Sequence, residues 1–164
     1  SDVSSALQDP IKSLGVLTDF AKGRISKMFL TRSLTQVAEE LQEQSDDWSS
    51  MLSGFAIQVE NTLIKYGKKI VDHELPQGRL SNMAIQLYVM LAVLSRTTTI
   101  LKSEKVDKDQ KEYVLNLAKN SIAKSRKIFV ANLKGMNKNS DRKITAISDH
   151  VSKTGGYGLD IIDY

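Results

Sequence analysis

From Met83 to Leu94 the only clearly polar side chain is Gln86. A helix over this run has no charged face to turn to water, and a helix apolar all round must be buried on every side or lie in a membrane. Crossing a bilayer takes roughly 20 apolar residues, and this run is shorter. The expectation is a central helix over Leu80–Leu101, enclosed by partners from the same chain or its neighbour.

The rest of the chain has to supply that enclosure. Its 164 residues make one domain's worth of core, without disulfides or metal. The only prolines are Pro10 and Pro76, glycines are sparse before the last ten residues, and aromatics are few. Abundant Leu, Ile, Lys, Gln and Glu then point to an all-α chain. Cysteine is absent, which removes disulfide frameworks, thiolate nucleophiles and cysteine zinc sites and fits an intracellular setting. Ser1–Ala6 carries no basic region and no apolar core follows, so no secretory signal is expected; a chain without an initiator methionine is expected to be a fragment.

Asp9 and Pro10 are placed to open a first helix. Ile11, Leu14, Leu17, Ala21, Ile25 and Met28 repeat at three and four residues, Phe29 extends the stripe, and Lys12, Arg24 and Lys27 lie off it. Gly15 and Gly23 weaken this helix by roughly 1 kcal/mol each relative to alanine. A connector over Thr31–Gln44 with a short turn of helix near Val37–Leu41 follows. Ser45 is the expected cap of a long helix, with Asp46 and Asp47 at its positive end. Trp48, Leu52, Phe55, Val59, Leu63, Tyr66 and Ile70 form its main stripe, and Ile57, Ile64 and Val71 a second line on the other side. A helix apolar on two sides lies between two layers or docks its second side on a partner.

Pro76 opens the uncharged helix, and Asp107 with Gln110 has the spacing of a capping box for the next. Val114, Leu117, Ala118, Ile122, Phe129 and Leu133 supply that helix's buried side, and Gly135 is placed to end it. Ser140 caps a last helix with Ile144, Ile147 and Val151 inward. The expected architecture is an up-and-down four-helix bundle with an additional N-terminal amphipathic helix. Residues 1–44 form the amphipathic segment and connector, 45–154 the bundle and 155–164 a tail.

Candidate catalytic groups are few. His73 and His150 stand far apart, and neither has a ligand at metal-binding spacing. Glu39-Glu40 and Asp46-Asp47 sit at a helix and a helix start, where charge on the dipole is the plain explanation. The Gly155–Gly158 run follows no strand and precedes no helix, so it fails the context of a dinucleotide loop. The net charge is +4. Basic residues gather at Lys119, Lys124, Arg126, Lys127, Lys134, Lys138, Arg142 and Lys143, but Phe129 alone interleaves them and no nucleic-acid motif is matched. No catalytic, cofactor-binding or metal residue is assigned; a binding or docking module is expected, with no nucleic-acid partner.

Three stretches carry a resemblance: Leu63-Ile64-Lys65-Tyr66-Gly67-Lys68-Lys69-Ile70-Val71, Gln77-Gly78-Arg79-Leu80, and Leu87-Tyr88-Val89-Met90-Leu91-Ala92-Val93-Leu94-Ser95-Arg96. In this order they resemble the C-terminal helical domain of very-long-chain acyl-CoA dehydrogenases and of the related acyl-CoA dehydrogenase family member nine branch. Similarity is good over about Phe55–Arg96; Pro10–Met28 and Asp107–Val151 match mainly in pattern. The resemblance implies an upstream core that holds FAD and the catalytic glutamate, neither of whose motifs occurs here. It also implies a homodimeric parent passing electrons to electron-transfer flavoprotein, on the matrix side of the mitochondrial inner membrane.

In that family the segment before the domain is associated with membrane binding. The resemblance thus gives Ile11–Phe29 a contact with an anionic, cardiolipin-rich surface, a role open to any amphipathic helix with basic flanks. Leu14, Leu17, Ile25, Met28 and Phe29 are the insertion candidates, with Lys12, Lys22, Arg24 and Lys27 on headgroups. The competing reading is a protein-docking module, as in the respiratory complex I assembly branch, acting through Ile57, Ile64 and Val71.

Overall fold

The computed structural model describes residues 34–156, so Ile11–Phe29 and most of the C-terminal tail lie outside the described residues. The described residues are all-α. They form α1 (Gln42–Tyr66), α2 (Glu74–Leu101), α3 (Lys108–Asn137) and α4 (Asp141–Thr154), with no strand among them. Short 3-10 turns, Glu39–Leu41 and Gly67–Asp72, lead into and out of α1.

The helix ends follow local chemistry, with some differences from the sequence reading. Asp107 Oδ1 accepts the Gln110 backbone N–H at 2.9 Å, as the capping spacing requires. Pro76 lies in the first turn of α2, where its missing N–H leaves no carbonyl unpaired. Ser45 is not the cap of α1. Leu41 is fully buried and draws the preceding 3-10 turn onto the core, so α1 starts at Gln42 and Ser45 is buried one turn inside it. Gly135 does not end α3, which runs on to Asn137. Asn139 makes the stop: its Nδ2 donates to Gly135 O at 2.8 Å, and its Oδ1 accepts from Asp141 N at 3.2 Å.

The core lies where α1, α2 and α3 meet. Leu41, Met83, Met90, Leu94 and Phe129 are almost completely enclosed, with Trp48, Met51, Leu87 and Ile122 beside them. Each such side chain contributes roughly 1.5–3 kcal/mol by leaving water. Polar ties fix the register: the Trp48 indole N–H donates to Leu87 O at 2.8 Å, and the Ala38 N–H donates to Thr98 Oγ1 at 3.3 Å. The approach to α1 therefore rests against the far end of α2.

Two expectations about facing fail. Leu117, placed on the buried side of α3, is 51% exposed, because the buried set Ala118, Ile122, Ser125 and Phe129 centres the inward face about a quarter-turn away from it. The last helix is not a fourth packed layer. No residue of α4 is buried, and Ile144 and Ile147 face outward, because the core between α1, α2 and α3 closes without it. These placements predict that Phe129→Ala lowers unfolding free energy by about 3–5 kcal/mol, whereas Leu117→Ala changes it by no more than about 0.5 kcal/mol. Urea denaturation of the two variants decides the point; equal losses would contradict the packing.

Candidate functional site

The uncharged helix is the unusual surface of the molecule. Its positions Met83, Leu87, Met90 and Leu94 are buried, and helical spacing puts Ile85, Tyr88 and Ala92 on the opposite side. Ile85 is 53% exposed, Tyr88 is 73% exposed, and Ala84 and Ala92 are exposed with them. The enclosure expected on all sides is thus absent among the described residues: α1 and α3 cover one flank and leave an apolar strip. No Asp, Glu, Lys, Arg or His interrupts α2 between Arg79 and Arg96. By length and composition Glu74–Leu101 reaches the threshold for crossing a membrane, although one side of it packs in the bundle core.

A second strip lies on α1 and the turn after it. Ile57, Ile64 and Val71 are 52%, 63% and 62% exposed, so none of the three is covered by the described residues. The nine candidates for membrane contact, Lys12, Leu14, Leu17, Lys22, Arg24, Ile25, Lys27, Met28 and Phe29, precede the described residues. The structure brings together no catalytic constellation from the other candidates. His73 packs against Tyr66 with the rings tilted by 47° and their centroids 4.5 Å apart, and His150 is exposed on α4. Asp46 accepts from Gln42 Nε2, while Asp47 faces Arg126 across 3.4 Å. Among the described residues no three His, Asp or Glu converge as metal ligands. Phe129, the one aromatic in the basic stretch, is in the core and unavailable for stacking on a base.

The sequence reading missed a polar clamp. Arg79, at the head of α2, grips Asp141, the first residue of α4, through two hydrogen bonds of 2.7 and 2.5 Å. The parallel fork is the strongest geometry open to such a pair. Gly135 makes room for it: a Cβ there would come within 3.0 Å of Arg79 Nε, so the arginine would have to shift. The available signal was Arg79 itself, the last charge before the uncharged run of α2. Its hydrogen bonds and charge hold the Asp141 carboxyl below its usual range, and the carboxylate in turn raises the guanidinium.

Residues 39–157 match the ACAD9/ACADV, C-terminal domain family. The chain belongs to that family. Among relatives, the very long-chain specific acyl-CoA dehydrogenase, mitochondrial, of Bos taurus is 32% identical over 109 residues. That alignment takes in 62% of this chain and 16% of the relative, so the chain spans a small part of the protein it resembles. The ACAD9/ACADV match starts in the turn before α1 and ends just beyond α4, taking in both exposed strips and the clamp.

The clamp gives this domain a defined acid response. A carboxylate whose pKa is depressed on folding contributes stability that is complete above its unfolded pKa and disappears as pH falls through the folded value. The stability gap between the native chain and Asp141→Asn is expected to stay constant down to about pH 4, then close on further acidification. Urea midpoints collected across that range give the test; a gap that widens in acid would contradict the assignment.

Proposed function

We propose that this chain is the non-catalytic C-terminal domain of a mitochondrial FAD-dependent long-chain or very-long-chain acyl-CoA dehydrogenase of fatty acid β-oxidation. Its role is inner-membrane association together with dimer and assembly contacts. The exposed, uncharged strip on α2, in a domain of this family, is the observation that carries the reading: it is a surface suited to being covered, not to chemistry. The full architecture in this reading is an up-and-down bundle preceded by an amphipathic helix over Ile11–Phe29.

Among the described residues, the glycine turns do not fit a flavin. The two glycines with positive φ among the described residues, Gly67 and Gly155, follow the C-terminal ends of α1 and α4. Carbonyl oxygens point outward at such ends, which repels a pyrophosphate; the nucleotide-binding turn instead leads into a helix N-terminus. FAD, substrate and electron-transfer flavoprotein are therefore assigned to an upstream core, and no step of the dehydrogenation is derived for this chain. Membrane attachment rests on Leu14, Leu17, Ile25, Met28 and Phe29 as inserting residues. Each basic neighbour at an anionic surface adds about 1 kcal/mol. Sedimentation with cardiolipin-containing vesicles is expected to fall at least about tenfold on Leu17→Asp plus Ile25→Asp; unchanged sedimentation would remove this role.

The exposed line Ile57, Ile64 and Val71 favours a second reading, a protein-docking module of a respiratory complex I assembly factor in the same family. Ile57→Asp with Ile64→Asp should leave the helical circular dichroism and urea midpoint of this chain nearly unchanged, since both side chains already meet water. In the full-length parent the same pair should weaken self-association or partner assembly by about tenfold or more in sedimentation velocity. Unchanged assembly would discard docking through this line.

A further inference from the structure

The outer side of α2 carries a pattern that reverses onto itself. Glu74, Gly78, Ile85, Ala92 and Arg96 lie along that side and are all exposed. Ile85 is the midpoint: Glu74 stands eleven residues before it and Arg96 eleven after, while Gly78 and Ala92 stand seven away on either side. Spacings of seven and eleven both return to the same side of a helix. The strip therefore has a negative end, an uncharged middle and a positive end. Neither Glu74 nor Arg96 has an ion-pair partner among the described residues, where the pairs are Arg79 with Asp141 and Arg126 with Asp47.

Gly78 is a second, independent observation. Glycine inside a helix weakens it relative to alanine. A Cβ at Gly78 would meet no atom within 4 Å, so packing among the described residues calls for no glycine there. Close approach by another helix does call for one.

A two-fold axis across α2 at Ile85 accounts for both. It lays a second α2 antiparallel on the first, so that Ile85 meets the partner's Ile85 and Gly78 meets the partner's Ala92. Glu74 then faces the partner's Arg96 in two symmetry-related pairs. A parallel pair would set Glu74 on Glu74 and Arg96 on Arg96, so charge selects the antiparallel one. An anionic lipid surface would repel Glu74 and gain nothing from a glycine, so the strip suits a second copy rather than a membrane.

We propose that α2 is an isologous contact between two copies of this chain, antiparallel, centred on Ile85 and closed at each end by Glu74 and the partner's Arg96. The inference rests on the dimer contact in the reading above and names the face that makes it. From Glu74 to Arg96 the seam is about 33 Å long at 1.5 Å per residue and one helix wide. Such a seam falls at the low end of specific interfaces, so isolated copies associate weakly and reversibly.

Sedimentation equilibrium of the 164-residue chain at rising concentration reads the contact. Glu74→Arg and Arg96→Glu are each expected to raise the dissociation constant about tenfold, since each sets like charges face to face at both ends. The double variant is expected to recover it, and an equimolar mixture of the two single variants to associate about as tightly as the unaltered chain. Self-association that ignores both single variants overturns this face and leaves the dimer reading standing elsewhere on the domain. A chain that stays monomeric up to about 1 mM overturns the proposal and removes self-association from the domain's role, while the vesicle assay scores the membrane role separately. The chain has no cysteine, so Ile85→Cys gives a second readout. Under mild oxidant it is expected to join two copies by a disulfide at least about tenfold faster than Asn116→Cys, an exposed site on α3; equal rates overturn the proposal. Maleimide labelling of Ile85→Cys identifies any other occupant. A monomer that resists the label has the strip covered by its own chain, and protection that needs cardiolipin vesicles assigns the strip to lipid; either result overturns the second copy.

Discussion

The structure depends on how an uncharged helix is covered. Between Arg79 and Arg96 α2 carries no formal charge, and in water such a helix holds its place only by burying surface on neighbours. α1, the turn before it and α3 do this on one flank, through Leu41, Trp48, Met51, Ile122 and Phe129 against Met83, Leu87, Met90 and Leu94. The indole bond from Trp48 to Leu87 O and the Thr98 contact with Ala38 then set where along α2 the other elements sit. The flank that remains, with Ile85 and Tyr88 on it, is left uncovered by the described residues. The same composition that drives folding from one side leaves an apolar surface in water on the other.

Much of this was legible in the chain. Periodicity located the four helices of the described residues, because three- and four-residue apolar spacing survives tertiary context. Asp107 and Pro76 marked their helix starts, since an N-cap acceptor and a missing N–H act within one turn. The order of three short stretches identified the family. The facing of individual residues was less legible. Leu117 and Ile147 are apolar and correctly spaced, yet both point outward. Spacing tells which residues share a side; it does not tell whether another helix lies against that side. The same limit made α2 read as enclosed, since a sequence without charges looks alike whether its partner is present or still to be met.

The clamp was illegible for another reason. Arg79 and Asp141 are 62 positions apart, and nothing in either neighbourhood marks the pairing. Gly135 read as a helix stop because glycine has two uses, ending a helix and allowing close approach. Here it serves the second. Only the position of the arginine distinguishes the two, and that position is a property of the folded chain.

The same clamp also gives α4 a mechanical character. The helix has no buried residue and is held to α2 by a bidentate ion pair at its first residue. A rod gripped at one end is a lever. Over the 14 residues of α4, about 21 Å of helix, a tilt of about 10° at the Arg79 grip carries the far end through roughly 4 Å. The helix is therefore anchored to α2 at one point, and losing that anchor would uncover no buried residue of α4.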